Sequence, residues 1–424
     1  MHMSTPTRIL HFVLTGILLS VITVLIPNTT KAQSLIPTDS PLNHLMQYRE
    51  DANQLLHTRT YNRPLSLTDL QDESIRAHFS TEDLGLRNDF TIDVPHEAPF
   101  LYFYEQLTLF GTITKNLHFG AQMSVANGPN KEFTIGTKKT RFGMTGRISR
   151  GWIHYNTDIF GLFFGREALQ FGPARFSQIN LTGDLPPYDF FQLQLHQFNL
   201  NLSAFTSKLP DIPVDAGTGH YLSRYLSGKR LEYISPNEKW NIGLGDFALY
   251  TGEGRQLNFA YANPVIPVFA LVYEGVRWEV PTGDNENIQM FLDATYFFDT
   301  PHRIYFEFLL DDFQIDPEDR DRLDDALGIT FGYGGIIPLN DAYNLHLQTE
   351  FTSLNTWVYN HRGQMTSFVY KNRPIGNQEG GDVYEYHLRG DLWHQTDWSI
   401  GIQYDHLAKG EIDPTDPWRP VETK

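Results

Sequence analysis

A strict alternation of apolar and polar residues is the feature that most constrains this chain. In residues 398–405 (WSIGIQYD) every second side chain is apolar or aromatic, and 117–125, 343–352 and 383–392 follow the same rule. Side chains of a β-strand point alternately to opposite faces, so this period predicts strands with one apolar and one polar face. Similar segments occur near 101–110, 240–250, 288–297 and 303–310, with the patterning weaker across 130–150 and 210–236.

A soluble sandwich and a transmembrane barrel would both show this alternation. The strands run for about ten residues, which matches a tilted membrane-crossing strand. Aromatic residues, 14% of the chain, cluster near strand ends as interface girdles require, at Tyr102, Tyr104, Phe297, Phe298, Trp393 and Trp398. The polar positions carry charges that suit a watery interior. We therefore predict an all-β fold, an antiparallel transmembrane outer-membrane β-barrel of about 14–18 strands.

The N-terminus predicts export. Arg8 precedes an apolar stretch, 9–26, and Thr30-Lys31-Ala32 fits a signal peptidase site. A retained membrane anchor is the alternative, since a stretch of this length could nearly span a bilayer. We predict a signal peptide over 1–32 and a mature protein in the outer membrane of a Gram-negative bacterium.

Residues 33–95 differ from the rest, because apolar residues recur there at helical spacing. One predicted helix starts after Ser40-Pro41 and a second after Ser66, with residues 62–66 as the turn between them. The predicted domains are thus a periplasmic helical segment (33–95), a barrel (96–409) and a polar C-terminal tail (410–424).

Composition and motifs exclude several functions. The chain has no cysteine, which rules out disulfides and thiolate metal sites, and its charge of −17 without a basic stretch argues against nucleic acid. Gly-x-Ser-x-Gly, His-Glu-x-x-His and P-loop motifs are absent. The acidic stretch 309–328 departs from the EF-hand pattern and is interpreted as a solvated loop, with a weak divalent-cation site at Asp311, Asp312 or Asp316 as the alternative. We predict no enzyme, no metal and no cofactor.

The segment 163–197 combines groups that can recognise a sugar. Arg166 offers a planar donor fork, Asn180 and Asp184 offer hydrogen bonds to hydroxyls, and Tyr188 offers an aromatic face. An ordinary loop folded into the barrel is the alternative. With charged residues of the polar strand faces, the predicted polysaccharide-binding set is Arg166, Asn180, Asp184, Tyr188, Glu350, Glu385 and Arg389. Glu350, Glu385 and Asp391 could also serve as hydrolytic carboxylates, although barrels commonly carry such acids as interior charge.

Four short motifs follow one another along the chain: "TRTYNRPLSLTDL" (58–70), "FGREALQFGPARFSQINLTGDLPPYDFFQL" (164–193), "LNFAYANPVIPVF" (257–269) and "FEFLLDDF" (306–313). Together they resemble the Wzi-type capsule assembly family of outer-membrane barrels. The resemblance implies a non-catalytic, lectin-like role, a lumen closed by loops, and helices packed on the periplasmic side. The positions that match its motifs, beyond Arg166 and Asn180, are Gly165, Gly172, Pro173, Asn263, Pro264, Asp311 and Asp312.

Three hypotheses follow. The first is a barrel that binds capsule or exopolysaccharide and helps to assemble or attach it, contacting outer-membrane lipid and expected to be a monomer. The second is a porin-like channel for small solutes, with Glu385, His387 and Arg389 setting ion preference. The third is an outer-membrane hydrolase. Occlusion of the lumen discriminates the first two, because a plugged barrel conducts no ions.

Overall fold

A computed structural model describes fourteen parts of the chain. They are residues 35–36, 42–52, 61–63, 65–66, 84–93, 102–127, 144–214, 219–268, 270, 286–312, 325–361, 365–395, 398–414 and 416. The predicted signal peptide, the predicted helix after Ser66 and Asp316 lie outside these residues. Within the described chain, no helix has the length and apolar character needed to cross a membrane.

Long antiparallel strands account for most of the described residues. They are β1 (Leu84–Asp93), β2 (Tyr102–Thr114), β3 (Leu117–Asn127), β4 (Met144–Asn156), β5 (Phe160–Glu167), β6 (Tyr188–Gln197), β7 (Leu200–Pro213), β8 (Tyr221–Ile234), β9 (Trp240–Glu253), β10 (Glu286–Phe297), β11 (His302–Asp312), β12 (Ala326–Pro338), β13 (Tyr343–Leu354), β14 (Val383–His394) and β15 (Trp398–Lys409). The number of long strands described falls within the predicted range. Both weakly patterned stretches, 130–150 and 210–236, contain strands.

The chain forms two compact units. In residues 77–151, strands β1 to β3 pair in chain order, and the Gln122 side chain accepts a hydrogen bond from Arg150 at 2.6 Å. In the other unit, residues 35–76 and 152–424, strands β5 to β15 form an antiparallel sheet in which each strand pairs with its neighbours along the chain.

The predicted first helix is confirmed as α1 (Leu42–Asp51). The predicted turn at 62–66 is wrong. Asn62–Arg63 pairs with Gln170–Phe171, and Leu65–Ser66 pairs with Leu35–Ile36. Proline at position 64 suits an extended backbone as well as a turn, so the local sequence was compatible with both.

The two faces of the sheet invert the arrangement of a soluble protein. Charged side chains on one face are fully buried, among them Arg230, Asp293, Arg303 and Glu307. Apolar side chains on the other face are exposed, among them Leu244, Phe331, Ile400 and Ile402. We call these the polar face and the apolar face. An exposed apolar face over a charged interior is the pattern of strands surrounded by lipid.

The predicted aromatic girdle is half correct at the four positions whose side chains the structure describes; the side chains of Tyr102 and Tyr104 lie outside that description. Phe298 and Trp398 lie exposed on the apolar face, whereas Phe297 and Trp393 are buried on the polar face. Phe297 and Phe298 are adjacent in sequence, and adjacent side chains of a strand point to opposite faces. One residue of such a pair must therefore face inward.

Connections differ in length at the two ends of the sheet. One end carries short turns, such as 198–199 and 339–342, and is called the short-turn end. The other carries long connections, including 168–187, 254–285 and 355–382, and is called the long-loop end. Helix α1 packs at the short-turn end, where Tyr48 stacks on Trp393 with ring centroids 4.5 Å apart.

Candidate functional site

The connection 168–187 is buried on the polar face of the sheet. Its side chains at Phe171, Ile179 and Leu181 are fully buried. The ring of Phe171 packs against Phe205 and Phe247, with centroids 5.8 and 6.0 Å apart. These contacts show that the segment folds back into the barrel, an arrangement that the sequence left open, and we call it the inner segment.

Two buried carboxylates hold the backbone of the inner segment. Glu350 accepts hydrogen bonds from the N–H groups of Arg175, Phe176 and Ser177 at 2.9, 3.2 and 2.5 Å. Glu307 accepts from Ala174 at 2.9 Å and from Ile179 at 3.3 Å. The carboxylates therefore take the place that a neighbouring strand would fill for these backbone donors.

Gly172 permits this close approach. Its φ of 108° lies in the region that favours glycine, and a Cβ atom there would collide with the Glu307 carboxylate. Pro173 follows and sets the direction of the chain. The Gly-Pro pair matched to the family motif thus has a steric reason in this chain.

A second connection, 355–382, covers the inner segment. The Tyr359 hydroxyl donates to the Ile179 carbonyl at 2.5 Å, and the Thr182 N–H donates to the Ile375 carbonyl at 2.9 Å. Burial raises the pKa of Tyr359 well above its ordinary value, so its hydroxyl remains a donor. The backbone N–H of Tyr359 donates to Asp311 at 2.5 Å. Asp311, one of the positions matched to the family motifs, therefore holds the covering connection in place.

Helix α1 meets the inner segment at an ion cluster. The Arg175 guanidinium donates to both oxygens of Asp51, at 2.6 and 2.9 Å, and to Glu50 at 3.0 Å. Asp51 also accepts from Arg303 at 2.6 Å and lies 2.6 Å from the Nε2 atom of His346. Burial by itself would raise the pKa of Asp51, but Arg175 and Arg303 hold it well below its ordinary value. Asp51 is therefore a charged anchor between the helix and the inner segment.

A second cluster centres on Arg230. Its guanidinium donates to Asp293 at 2.7 and 3.0 Å, to Glu232 at 2.8 Å and to Asn62 at 3.1 Å. The backbone N–H of Tyr61 donates to the same Glu232 carboxylate at 2.9 Å. This cluster joins residues 61–63 to the polar face of the sheet.

Four predicted binding residues that came from the 163–197 segment lie apart from one another. Arg166 is on the apolar face, in a partly exposed bidentate pair with Asp189 at 3.0 and 2.6 Å. Asn180 and Tyr188 are buried within the core. Asp184 is exposed, and its carboxylate accepts from the Gln378 amide at 2.8 Å.

The other three predicted residues lie on the polar face. Glu350 and Glu385 are buried, and Glu385 accepts from the Ser177 hydroxyl and, at 2.9 Å, from the Asn377 amide. Arg389 donates to Asp391 at 2.9 Å. Sequence reasoning did not nominate Arg175, Asp51, Arg230 or Glu307, although each acid or arginine of a strand sits at a polar position of the alternation.

One constellation is spaced like a Ser-His-Asp triad. The Ser177 Oγ atom lies 2.9 Å from His387 Nε2, and His387 Nδ1 lies 2.6 Å from Asp405 Oδ1. Acyl transfer also requires N–H donors for the developing oxyanion. The Ser177 N–H donates to Glu350, and its hydroxyl contacts Glu385. The Ser177 hydroxyl and backbone N–H are therefore both held by carboxylates, an arrangement that anchors the inner segment and leaves this N–H unavailable to an oxyanion.

Comparison with known proteins identifies the architecture. The family model described as capsule assembly protein Wzi matches residues 116–424. A solved structure from Escherichia coli, titled as the outer-membrane protein Wzi involved in group 1 capsule assembly and a carbohydrate-binding β-barrel, superposes with a TM-score of 0.62 at 13% identity, covering 91% of this chain and 89% of that one. At this identity the likeness shows the fold, and it confirms the predicted antiparallel β-barrel.

Other solved structures are less similar to this chain. A loop L8 deletion mutant of OmpT from Vibrio cholerae gives a TM-score of 0.37 at 10% identity, covering 77% of this chain and 92% of that one. An anion-selective porin from Comamonas acidovorans gives 0.34 at 11%, covering 76% and 100%. Among curated proteins, none matches.

Proposed function

Because the chain belongs to the capsule assembly protein Wzi family, we propose that it binds surface polysaccharide and takes part in capsule or exopolysaccharide assembly, without catalysis. The similar Escherichia coli protein is described as a carbohydrate-binding barrel of capsule assembly. The signal peptide predicted at 1–32 would direct the chain to the outer membrane of a Gram-negative bacterium. In such barrels the short turns face the periplasm and the long loops face outward.

The observation that carries this proposal is the burial of the inner segment. Its backbone is held by Glu307 and Glu350, and the 355–382 connection lies over it. The polar face is therefore occupied by protein at the long-loop end. The chain offers a polymer a surface to bind rather than a path to cross.

The inner segment and the 355–382 connection expose polar groups that can bind a sugar, and we call this exposed part the rim. Asp184 of the inner segment and Gln378 of the covering connection are joined by a hydrogen bond and are both exposed. A carboxylate beside an amide presents acceptors and donors together, as sugar hydroxyls require. Each contact is weak, but a repeating polymer engages many such sites, and its overall avidity greatly exceeds the affinity of one site.

Polysaccharide retention tests the proposal. Protein folded in detergent would be immobilised and challenged with capsular polysaccharide purified from the strain that encodes it. We expect D184A to weaken retention roughly fivefold, the effect of losing about 1 kcal/mol of hydrogen bonding. D158A makes the same change in the exposed turn at the short-turn end and should retain polysaccharide like the unaltered protein.

Two results would contradict the proposal. Equal retention by D184A and the unaltered protein would place binding away from the rim. Absence of retention by the unaltered protein, together with steady conductance in planar bilayers, would favour the porin-like channel.

A further inference from the structure

Residues 254–268, which follow β9, lie over the apolar face of the sheet. We call them the outer strap. Tyr261 of the strap is buried and stacks on Tyr250 of β9, with centroids 4.5 Å apart. Tyr250 lies six residues from Leu244 on the same strand, so both side chains point to the same face, and Leu244 is exposed on the apolar face. The strap therefore covers the outside of the barrel and not its interior.

The strap seals an ion pair on the apolar face. Lys229 of β8 lies 3.4 Å from Asp246 of β9, and both side chains are largely buried. The Lys229 ammonium also donates to the carbonyls of Asn263, at 3.2 Å, and Ile266. Asp246 accepts from the Val268 N–H at 2.9 Å. A charge on the lipid-facing side of a barrel costs about 2–4 kcal/mol at the bilayer midplane, so these contacts offset a penalty that lipid could not.

The register of β9 places this pair within the membrane. Trp240, at the short-turn end of β9, is exposed on the apolar face and packs against Tyr296, with ring centroids 4.7 Å apart, as residues of an interface girdle do. Asp246 lies six residues further along the strand. At about 3.3 Å per residue and a tilt near 40°, it lies roughly 15 Å above that girdle. The apolar band of such barrels is about 25 Å tall, so residues 263–268 reach well inside it.

The backbone of residues 263–268 is suited to hydrocarbon. The Asn263 N–H donates to the Ala260 carbonyl at 3.2 Å, and the Val268 N–H is held by Asp246. The Asn263 side chain accepts from Val265 at 2.9 Å and from Ile266 at 3.2 Å. Positions 264 and 267 are prolines, which have no N–H. Every backbone donor in this stretch is satisfied, as irregular backbone at membrane depth requires.

We infer that residues 263–268 are immersed in the outer leaflet, with Val265 and Ile266 in contact with the acyl chains of membrane lipids. Both side chains are exposed, Val265 to 78% and Ile266 to 37%. The hydrogen-bonded backbone, the buried Lys229–Asp246 pair and the exposed apolar side chains of Val265 and Ile266, which we call the crest, all fit a lipid environment. The inference does not depend on polysaccharide binding, and it gives the Asn263-Pro264 motif a reason in this chain.

Site-directed fluorescence tests the immersion. The chain has no cysteine, so Val265→Cys can be labelled alone with an environment-sensitive fluorophore and reconstituted in phospholipid vesicles. Leu244→Cys marks the exposed apolar face, and Asp184→Cys marks the aqueous rim. We expect lipids with nitroxide-labelled acyl chains to quench Val265→Cys as they quench Leu244→Cys. Aqueous iodide should quench it several-fold less than Asp184→Cys.

Two results would overturn the inference. Iodide quenching equal to that of Asp184→Cys would place the strap in water. Protection from both quenchers would mean that protein, such as a second copy of the chain, covers the crest. If Val265→Cys fails to show the heat-modifiable mobility of a folded barrel, Ile266→Cys carries the same test.

Discussion

Replacing Arg175 with glutamine should release the inner segment from helix α1. The Arg175 guanidinium makes hydrogen bonds of 2.6 and 2.9 Å to Asp51 and of 3.0 Å to Glu50, and its side chain is only 5% exposed. A glutamine amide is shorter, uncharged and unable to bridge both carboxylates. Asp51 and Glu50 would then remain buried with less positive charge beside them.

The expected magnitude follows from burial. Removing one partner of a buried ion pair costs about 3–5 kcal/mol, because the remaining charge is left uncompensated. Asp51 keeps its 2.6 Å contact with Arg303, which favours the lower end of that range. A loss of about 3 kcal/mol raises the undocked fraction of the inner segment roughly 100-fold.

Single-channel conductance in planar bilayers measures this opening. The unaltered barrel should remain closed, and R175Q should show brief conducting events. R166Q is the matched control, because Arg166 also makes a bidentate pair, with Asp189 at 3.0 and 2.6 Å, but both side chains are largely exposed, at 44% and 64%. Exposed pairs contribute about 0–1 kcal/mol, so R166Q should behave like the unaltered protein.

Two results would contradict this prediction. Equal conductance for R175Q and R166Q would show that the ion cluster does not hold the inner segment. Steady conductance by the unaltered barrel would show that the segment does not close it. If R175Q fails to fold, Asp51→Asn tests the same contact from the helix, and protease cleavage within 168–187 reports undocking independently.

Two further predictions concern the same closure. G172A should lower the free energy of unfolding by about 1–3 kcal/mol, because φ at Gly172 is 108° and the new Cβ would collide with Glu307. G151A is the control, since the space around Gly151 is open and the substitution should have little effect. Thermal unfolding followed by heat-modifiable mobility measures the stability of both variants. The Asp51 and Glu50 pKa values are held below their ordinary range, for Asp51 chiefly by Arg175 and for Glu50 chiefly by Arg303, both against the effect of burial. The stability that these two carboxylates contribute is therefore complete above about pH 5 and is lost as the pH falls through their folded pKa values. Conductance should accordingly rise below about pH 4. A barrel that stays equally closed from pH 7 to pH 3 would contradict this prediction.

Much of the architecture was predictable because it depends on local periodicity. The alternation at 398–405 and its counterparts predicted strands, their faces and the membrane-facing apolar surface. A 163–197 segment folded into the barrel was one of the arrangements that the sequence left open. The aromatic pair Phe297 and Phe298 shows the limit of such reasoning, since clustering in sequence does not tell which ring faces lipid.

The candidate site was less predictable. Arg166 and Arg175 stand nine positions apart in the same stretch. Arg166 belongs to a strand and points to the apolar face, where it pairs with Asp189. Arg175 belongs to the buried inner segment and meets Asp51 of helix α1. The Gly-Arg motif favoured Arg166, and the more buried contact of Arg175 with Asp51 was missed.

The sequence by itself determined which residues form strands and which face of each strand is apolar, because both properties repeat every two residues along the chain. Only the tertiary structure decided which charges meet. Asp51 pairs with His346 across 295 positions and with Arg175 across 124. The chemistry of a carboxylate does not distinguish one cationic side chain from another. The fold therefore selects the partner of Asp51, because it brings particular cations within hydrogen-bond distance and excludes the water that would otherwise compete.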